Sequence, residues 1–128
     1  MLQQITKGIR ISATIQFNGT VSHKNAYQYA FLYHIKIENQ SKDVVQLLTR
    51  HWKIMESLDQ THYVNGEGVV GNKPILNPGE SHTYSSNCLL SSPLGAMKGV
   101  FVMINFSTAQ KFQVQVPVLS LAAPFILN

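Results

Sequence analysis

The sequence predicts an all-β fold, an antiparallel sandwich of about seven to eight strands. Apolar residues recur at every second position in most segments, and clusters of Gly, Pro, Asn, Asp and Ser return at roughly ten-residue spacing. No stretch carries a convincing amphipathic helix of three turns. At 128 residues the chain fits one domain, residues 1–128. A chain of that length buries about two-thirds of its unfolded surface, enough to fold without disulfides or a structural metal.

The elements follow in order. In "GIRISATIQF", residues 8–17, Ile9, Ile11, Ala13, Ile15 and Phe17 alternate with Arg10, Ser12, Thr14 and Gln16, the pattern of a half-buried strand. "AYQYAFLYHIKIEN" repeats it with Tyr27, Tyr29, Phe31, Tyr33, Ile35 and Ile37 on one face. Between them "NGTVSHKN" reads as a turn. "NQSKD" at 39–43 is a second turn, leading into "VVQLLTRHWKIMES". "THYVN" is short enough to be a strand, and the Pro- and Gly-rich "PILNPGE" is a turn before "SHTYSSNCLL". "SSPLG" turns the chain again, and "KGVFVMINF" and "KFQVQVPVLSL" close the set across the link "STAQ". Pro117 belongs at a sheet edge or a bulge, because it cannot donate to a ladder. The terminal segments "MLQQITK" and "AAPFILN" are the expected loose ends. The second is apolar enough to pack on the body or on another subunit.

Ten Lys and Arg against six Asp and Glu give a formal net charge of +4, with no run of even three basic residues. A nucleic-acid footprint concentrates charge on one face, so this distribution argues against nucleic-acid binding. No apolar run approaches the roughly 20 residues that cross a bilayer, which argues against a membrane span. The lone Cys88 has no intramolecular partner, and the N-terminus shows no basic-then-apolar leader, so a reducing cytoplasm is the expected setting.

"LLTRHWKI", the run "GEGVVGNKPILNPGESHTYSSNCLLSSPLGAMKG" and the closing "VPVLSLAAP" together resemble the ApaG family of small bacterial proteins, whose domain also occurs in some eukaryotic F-box proteins. The resemblance implies a sandwich like an immunoglobulin or fibronectin type III domain, in agreement with the strand count. It also implies an association with cobalt resistance and magnesium efflux, and a protein-interaction role in the eukaryotic relatives. The cation association assigns no reaction, and the interaction role favours a non-enzymatic binding module with a protein partner and no cofactor. The edge strands of a sandwich and the apolar C-terminal tail leave homo-oligomerisation open.

Within "NGEGVVGNKP", Gly66, Gly68 and Gly71 have the G-x-G-x-x-G spacing of a dinucleotide fingerprint. That motif acts through the N-terminus of a following helix, and the two prolines of "NKPILNPGE" forbid one. The glycines then read as a loop shaped by positive φ or close backbone approach. The alternative is a nest of backbone N–H groups that binds a small phosphorylated or other anionic ligand, with charge from Arg50 and Lys73. Arg50, Trp52 and Ile54 share one parity. Either Trp52 fills the sandwich with Arg50 at its rim, or a bulge separates them, or the pair is exposed as a candidate partner contact. His23, His34, His51, His62 and His82 are isolated, with no zinc-type spacing and no Cys partner, so no metal site is expected. Cys88 reads as a buried thiol, and no nucleophile motif or carboxylate pair supports catalysis.

Overall fold

The computed structural model describes residues 1–57 and 60–127; the side chains of His23, Ile126 and Leu127 lie outside that description. Nine strands are present among the described residues: β1 (Leu2–Thr6), β2 (Ile9–His23), β3 (Ala26–Asn39), β4 (Val45–Glu56), β5 (Thr61–Glu67), β6 (Ile75–Leu76), β7 (Ser81–Leu90), β8 (Leu94–Asn105) and β9 (Lys111–Ala122). They form two antiparallel sheets, ordered β1-β2-β3-β7 and β5-β4-β8-β9, with β6 on β4. The chain changes sheet between β3 and β4, before β7 and after it. This is the antiparallel sandwich of immunoglobulin or fibronectin type III-like form, with β1 and β6 added to the strands expected.

The inner faces follow the period-two patterns. Ile9, Ile11 and Ala13 of β2 and Phe31, Tyr33, Ile35 and Ile37 of β3 are buried against Leu47, Trp52, Phe101, Met103 and Val114 of the other sheet. Each fully buried aliphatic or aromatic side chain contributes about 1.5–3 kcal/mol of gross burial energy. Outward residues pair across strands instead. Arg10 lies opposite Glu38 and makes a two-pronged contact of 2.8 and 3.1 Å, which holds the Glu38 carboxyl below its ordinary range.

Several boundaries differ from the sequence reading. "MLQQITK" is not loose: Leu2–Thr6 pairs with β2 through its backbone, and its side chains are mostly exposed, so no alternation marks it. "NGTVSHKN" is mostly strand. β2 runs to His23 past a bulge between Phe17 and Thr20, and the turn is confined to Lys24 and Asn25, both at positive φ. In the "SSPLG" segment the chain re-enters a sheet at Leu94. Pro117 satisfies both of its expected conditions, since β9 is an edge strand and its register with β8 slips between Met97 and Gly99, opposite Pro117. The C-terminal Pro124–Leu127 forms a 3₁₀ turn that packs on the body, with the Phe125 ring 6.1 Å from those of Phe17 and Tyr29.

One buried polar residue organises the turn end. Asn39, fully buried, donates to the carbonyls of Asp43 and Leu76 at 2.8 and 2.9 Å and accepts from the Ser41 N–H and hydroxyl. It ties the β3–β4 turn to β6.

Candidate functional site

A bulge in β4 between Leu47 and Thr49 sets the geometry of the site. Ahead of it Val45 and Leu47 face inward; beyond it the inward parity passes to Arg50, Trp52, Ile54 and Glu56. Arg50 and Trp52 therefore share the inner face, and the bulge precedes both rather than separating them. Trp52 is 3% exposed, between Tyr33 of one sheet and Phe101 of the other at centroid distances of 5.6 and 6.3 Å. It is a core residue, and the reading of Trp52 as an exposed partner contact is corrected by the bulge that turns it inward. Gly99, its neighbour on β8, leaves room for the indole: a Cβ there would lie 2.5 Å from Cε3.

Arg50 sits at the mouth of the sandwich opposite Gly66 of β5. Its guanidinium crosses the Gly66 Cα, where a Cβ would lie 2.7 Å from three of its atoms, and Nη1 donates to the carbonyls of Glu67 and Gly68 at 2.9 and 3.0 Å. Gly68 has φ +62°, and a Cβ on it would collide with the Asn72 carbonyl. Val70 and Gly71 then make the two-residue turn at φ +48° and +77°, closed by paired Val69–Asn72 backbone hydrogen bonds. The Gly68 N–H donates to the Leu48 carbonyl exposed by the bulge. Lys73 reaches back to Glu67 at 3.1 Å. Thus Arg50, Gly66, Gly68 and Lys73 do converge, with Gly71 at the tip, and the segment after the loop is the short strand β6 rather than a helix. The three glycines meet backbone and packing demands of a hairpin docked on a bulge.

The sandwich is closed along one side, where the Gln115 N–H of β9 donates to the Thr6 hydroxyl of β1 at 3.3 Å. Its other side is a cleft between β5 and β7, each of which has a neighbour on one flank only. An inner cavity of ≈ 140 Å³ is walled by Arg50, Trp52, Ile54, Val64 and Met97, with Ser86, Asn87 and Cys88 of β7 opposite. An outer groove of ≈ 410 Å³ continues it past Gln28, Leu89 and Ser91, sharing Ile54, Val64, Asn87 and Cys88. Burial pushes the Cys88 thiol up to about 11, so it is no thiolate nucleophile near neutral pH. Burial also raises the Tyr33 and Tyr84 phenols, although the nearby Arg50 charge pulls both the other way. Three side-chain atoms are buried without a protein hydrogen-bond partner among the described residues: Trp52 Nε1, Tyr84 Oη and His82 Nε2.

At the outer end of the groove Glu56 is buried yet charged. Burial alone would raise its pKa, but the Ser91 hydroxyl, His62 and the N–H groups of Ser91 and Ser92 together hold it below the ordinary range. The distances are 2.9 Å from the Ser91 hydroxyl, 2.6 Å from His62 Nε2, and 2.7 and 3.1 Å from the two N–H groups. Sequence reasoning missed this cluster because its members come from three separate segments, with Ser91 lying 35 residues beyond Glu56. His34 and His51 face outward and bond Ser85 and Asn65. No group of three or more His, Cys, Asp or Glu converges among the described residues. No helix among them is long and apolar enough to cross a membrane.

Comparison with known proteins places this geometry. The family described as the ApaG domain matches residues 19–105. The protein ApaG of Methylobacterium sp. (strain 4-46) is 36% identical over 126 residues, covering 98% of this chain and 96% of the relative. That of Methylocella silvestris is 37% identical over the same length, with the same shares covered. Among solved structures, the putative ApaA protein from Bordetella pertussis superposes with a TM-score of 0.79 at 31% identity, covering 91% of this chain and 94% of that one. Matched along most of its length in sequence and in fold, the chain belongs to the ApaG domain family.

Proposed function

We propose that this chain is a non-enzymatic binding module that takes a protein partner along the cleft between β5 and β7. The observation that carries the reading is the pair of open strand edges framing one groove. An edge strand offers unpaired N–H and C=O groups to an added strand, and the groove offers pockets for its alternate side chains. Exposed Leu89 and half-exposed Val64 supply apolar contact at the rim. The proposed setting is the cytoplasm, with support from the single buried Cys88. Any part in cobalt resistance or magnesium efflux, which the family resemblance implies, would run through the partner.

The alternative is a small anionic ligand at the Gly66–Gly71 loop. Local geometry supports it less. The N–H groups of Gly68, Val69 and Asn72 already donate to carbonyls, Arg50 bonds two more carbonyls, and Lys73 is paired with Glu67.

Affinity capture from the source organism, quantified for wild type against Leu89→Glu and Gln28→Glu, tests the partner reading. Both side chains line the outer groove. The expected result is a partner lost from both variants at unchanged melting temperature. Equal recovery with wild type and variants would sink the cleft assignment, and millimolar phosphate or nucleotide shifting the Gly66–Gly71 amides would favour the alternative.

A further inference from the structure

The outer face of the β5-β4-β8-β9 sheet carries an uncompensated pair of charges. Tyr63 of β5, Lys53 of β4 and Lys98 of β8 stand in one row, since Tyr63 and Lys98 are the register partners of Lys53 on its two sides. Side chains directly opposed in an antiparallel ladder share a face and lie about 4.5–5.5 Å apart at Cβ, so like charges there repel. Arg10, by contrast, faces Glu38 across β2 and β3. Neither Lys53 nor Lys98 has an ion pair or a side-chain hydrogen bond among the described residues. Lys98 also lies in the β8–β9 register slip, where it has no register partner on β9. Local rules broken without compensation concentrate at functional sites.

An open groove of ≈ 270 Å³ lies over this row, lined by both lysines with Tyr63, Asn65, Val100 and Gln115, and no Asp or Glu lines it. Tyr63 is 69% exposed. We propose that this groove binds a phosphate monoester carried on a flat ring, the phosphate bridging Lys53 and Lys98 and the ring lying against Tyr63 and Val100. A phosphate monoester brings nearly two negative charges at neutral pH, matching two ammonium groups. A lysine ammonium is a point charge with three rotatable donors and suits tetrahedral oxygens, whereas planar carboxylates suit arginine, and no arginine lines the groove. The exposed phenol on the edge strand offers the ring an offset or edge contact. The volume lies just under the roughly 300 Å³ at which drug-sized sites begin, so it takes one ring and one phosphate rather than a dinucleotide. The groove shares no lining residue with the outer groove between β5 and β7, so the two surfaces are separately testable.

Titration of the wild type with phenyl phosphate, followed in ¹H–¹⁵N spectra, should move the amides of Lys53, Tyr63, Lys98 and Val100 saturably in the millimolar range. The amides of Gly68 and Gly71 should stay in place. Phenol, the same ring without charge, should bind about tenfold more weakly, and phenyl sulfate, tetrahedral with one charge, about three- to fivefold more weakly. Lys53→Gln and Lys98→Gln should each weaken phenyl phosphate by about three- to fivefold and leave phenol unchanged. Lys98→Glu should abolish the preference for phosphate while raising the urea midpoint, because it turns a repulsive cross-strand pair into an attractive one. Two merely solvated lysines would give the second effect without the first. AMP and O-phosphotyrosine separate the two sources: tighter binding of AMP assigns a nucleotide, and tighter binding of phosphotyrosine assigns a phosphorylated side chain. Phenyl phosphate binding no tighter than phenol, unchanged affinity in both Gln variants, or shifts centred on Gly68 and Gly71 would overturn the proposal. The wild-type series needs no variant, so it stands even if a variant fails to fold. Leu89→Glu should leave these titrations unchanged, which keeps the result separate from that of partner capture.

Discussion

Glu56 is the residue on which one end of the sandwich turns. Its carboxylate accepts from both N–H groups of the β7–β8 turn and faces His62 at the start of β5, so three chain segments meet on one side chain. Hydrogen bonds to charged groups contribute about 1.5–3 kcal/mol, and Glu56→Gln should cost that order in urea unfolding. The pKa of Glu56 is lowered on folding. Its stabilisation is therefore complete above the unfolded carboxylate value of about 4.3 and is lost as pH falls through the lower folded value. Wild type should lose stability over that acid window more steeply than the Gln variant. Parallel curves would show that Glu56 is not the titrating group. Trp52 and Glu56 illustrate the difference in what a single residue announces. Trp52 was open to the core reading, by analogy with sandwiches that bury one tryptophan, beside that of an exposed partner contact, whereas a lone Glu at a strand end carried no mark of its partners 6 and 35 residues away.

At the scale of the element, the β4 bulge and the Val69–Asn72 turn in the loop between β5 and β6 are one device. The bulge frees the Leu48 carbonyl, the Gly68 N–H takes it, and Arg50 clamps the following carbonyls from the strand it lies on. Two of the glycines then make different demands. A Cβ on Gly66 presses only on the end of a flexible side chain, while a Cβ on Gly68 meets backbone and must also hold a positive φ. Gly66→Ala should cost about 1 kcal/mol as Arg50 swings away, and Gly68→Ala clearly more, of the order of 2–4 kcal/mol. Chemical denaturation of both variants checks the order; equal losses would mean that the turn is not seated on the bulge as described. The glycine spacing was visible in the sequence, and the two prolines correctly excluded a helix. A bulge in this strand was one reading of the Arg50 and Trp52 parity, but its place ahead of both was not visible, because a one-residue slip in "VVQLLTRHW" leaves apolar residues on both parities. β1 was missed for the opposite reason: an edge strand held by backbone pairing alone needs no alternation.

At the scale of the whole molecule, two closely opposed facts coexist. One flank is sealed by β1 against β9, and the other stands open between β5 and β7, so the sandwich has a built-in front and back. The fold class was legible because half-buried strands write their burial into period two. Which strands would border the cleft was not, since the crossings between sheets are made by turns whose sequences specify only a change of direction. Those crossings have a kinetic consequence. β7 must find β3 across about forty intervening residues while β4 and β5 settle in the other sheet, and pairings of that separation make folding slow, on the order of milliseconds to seconds. Trp52 touches an aromatic ring from each sheet, so its fluorescence in stopped-flow refolding should change when the two layers meet and not when a hairpin forms. A tryptophan signal complete within microseconds would contradict this. The indole that fills the centre of the sandwich thus doubles as its clock, timing the step at which two separate sheets become a single body.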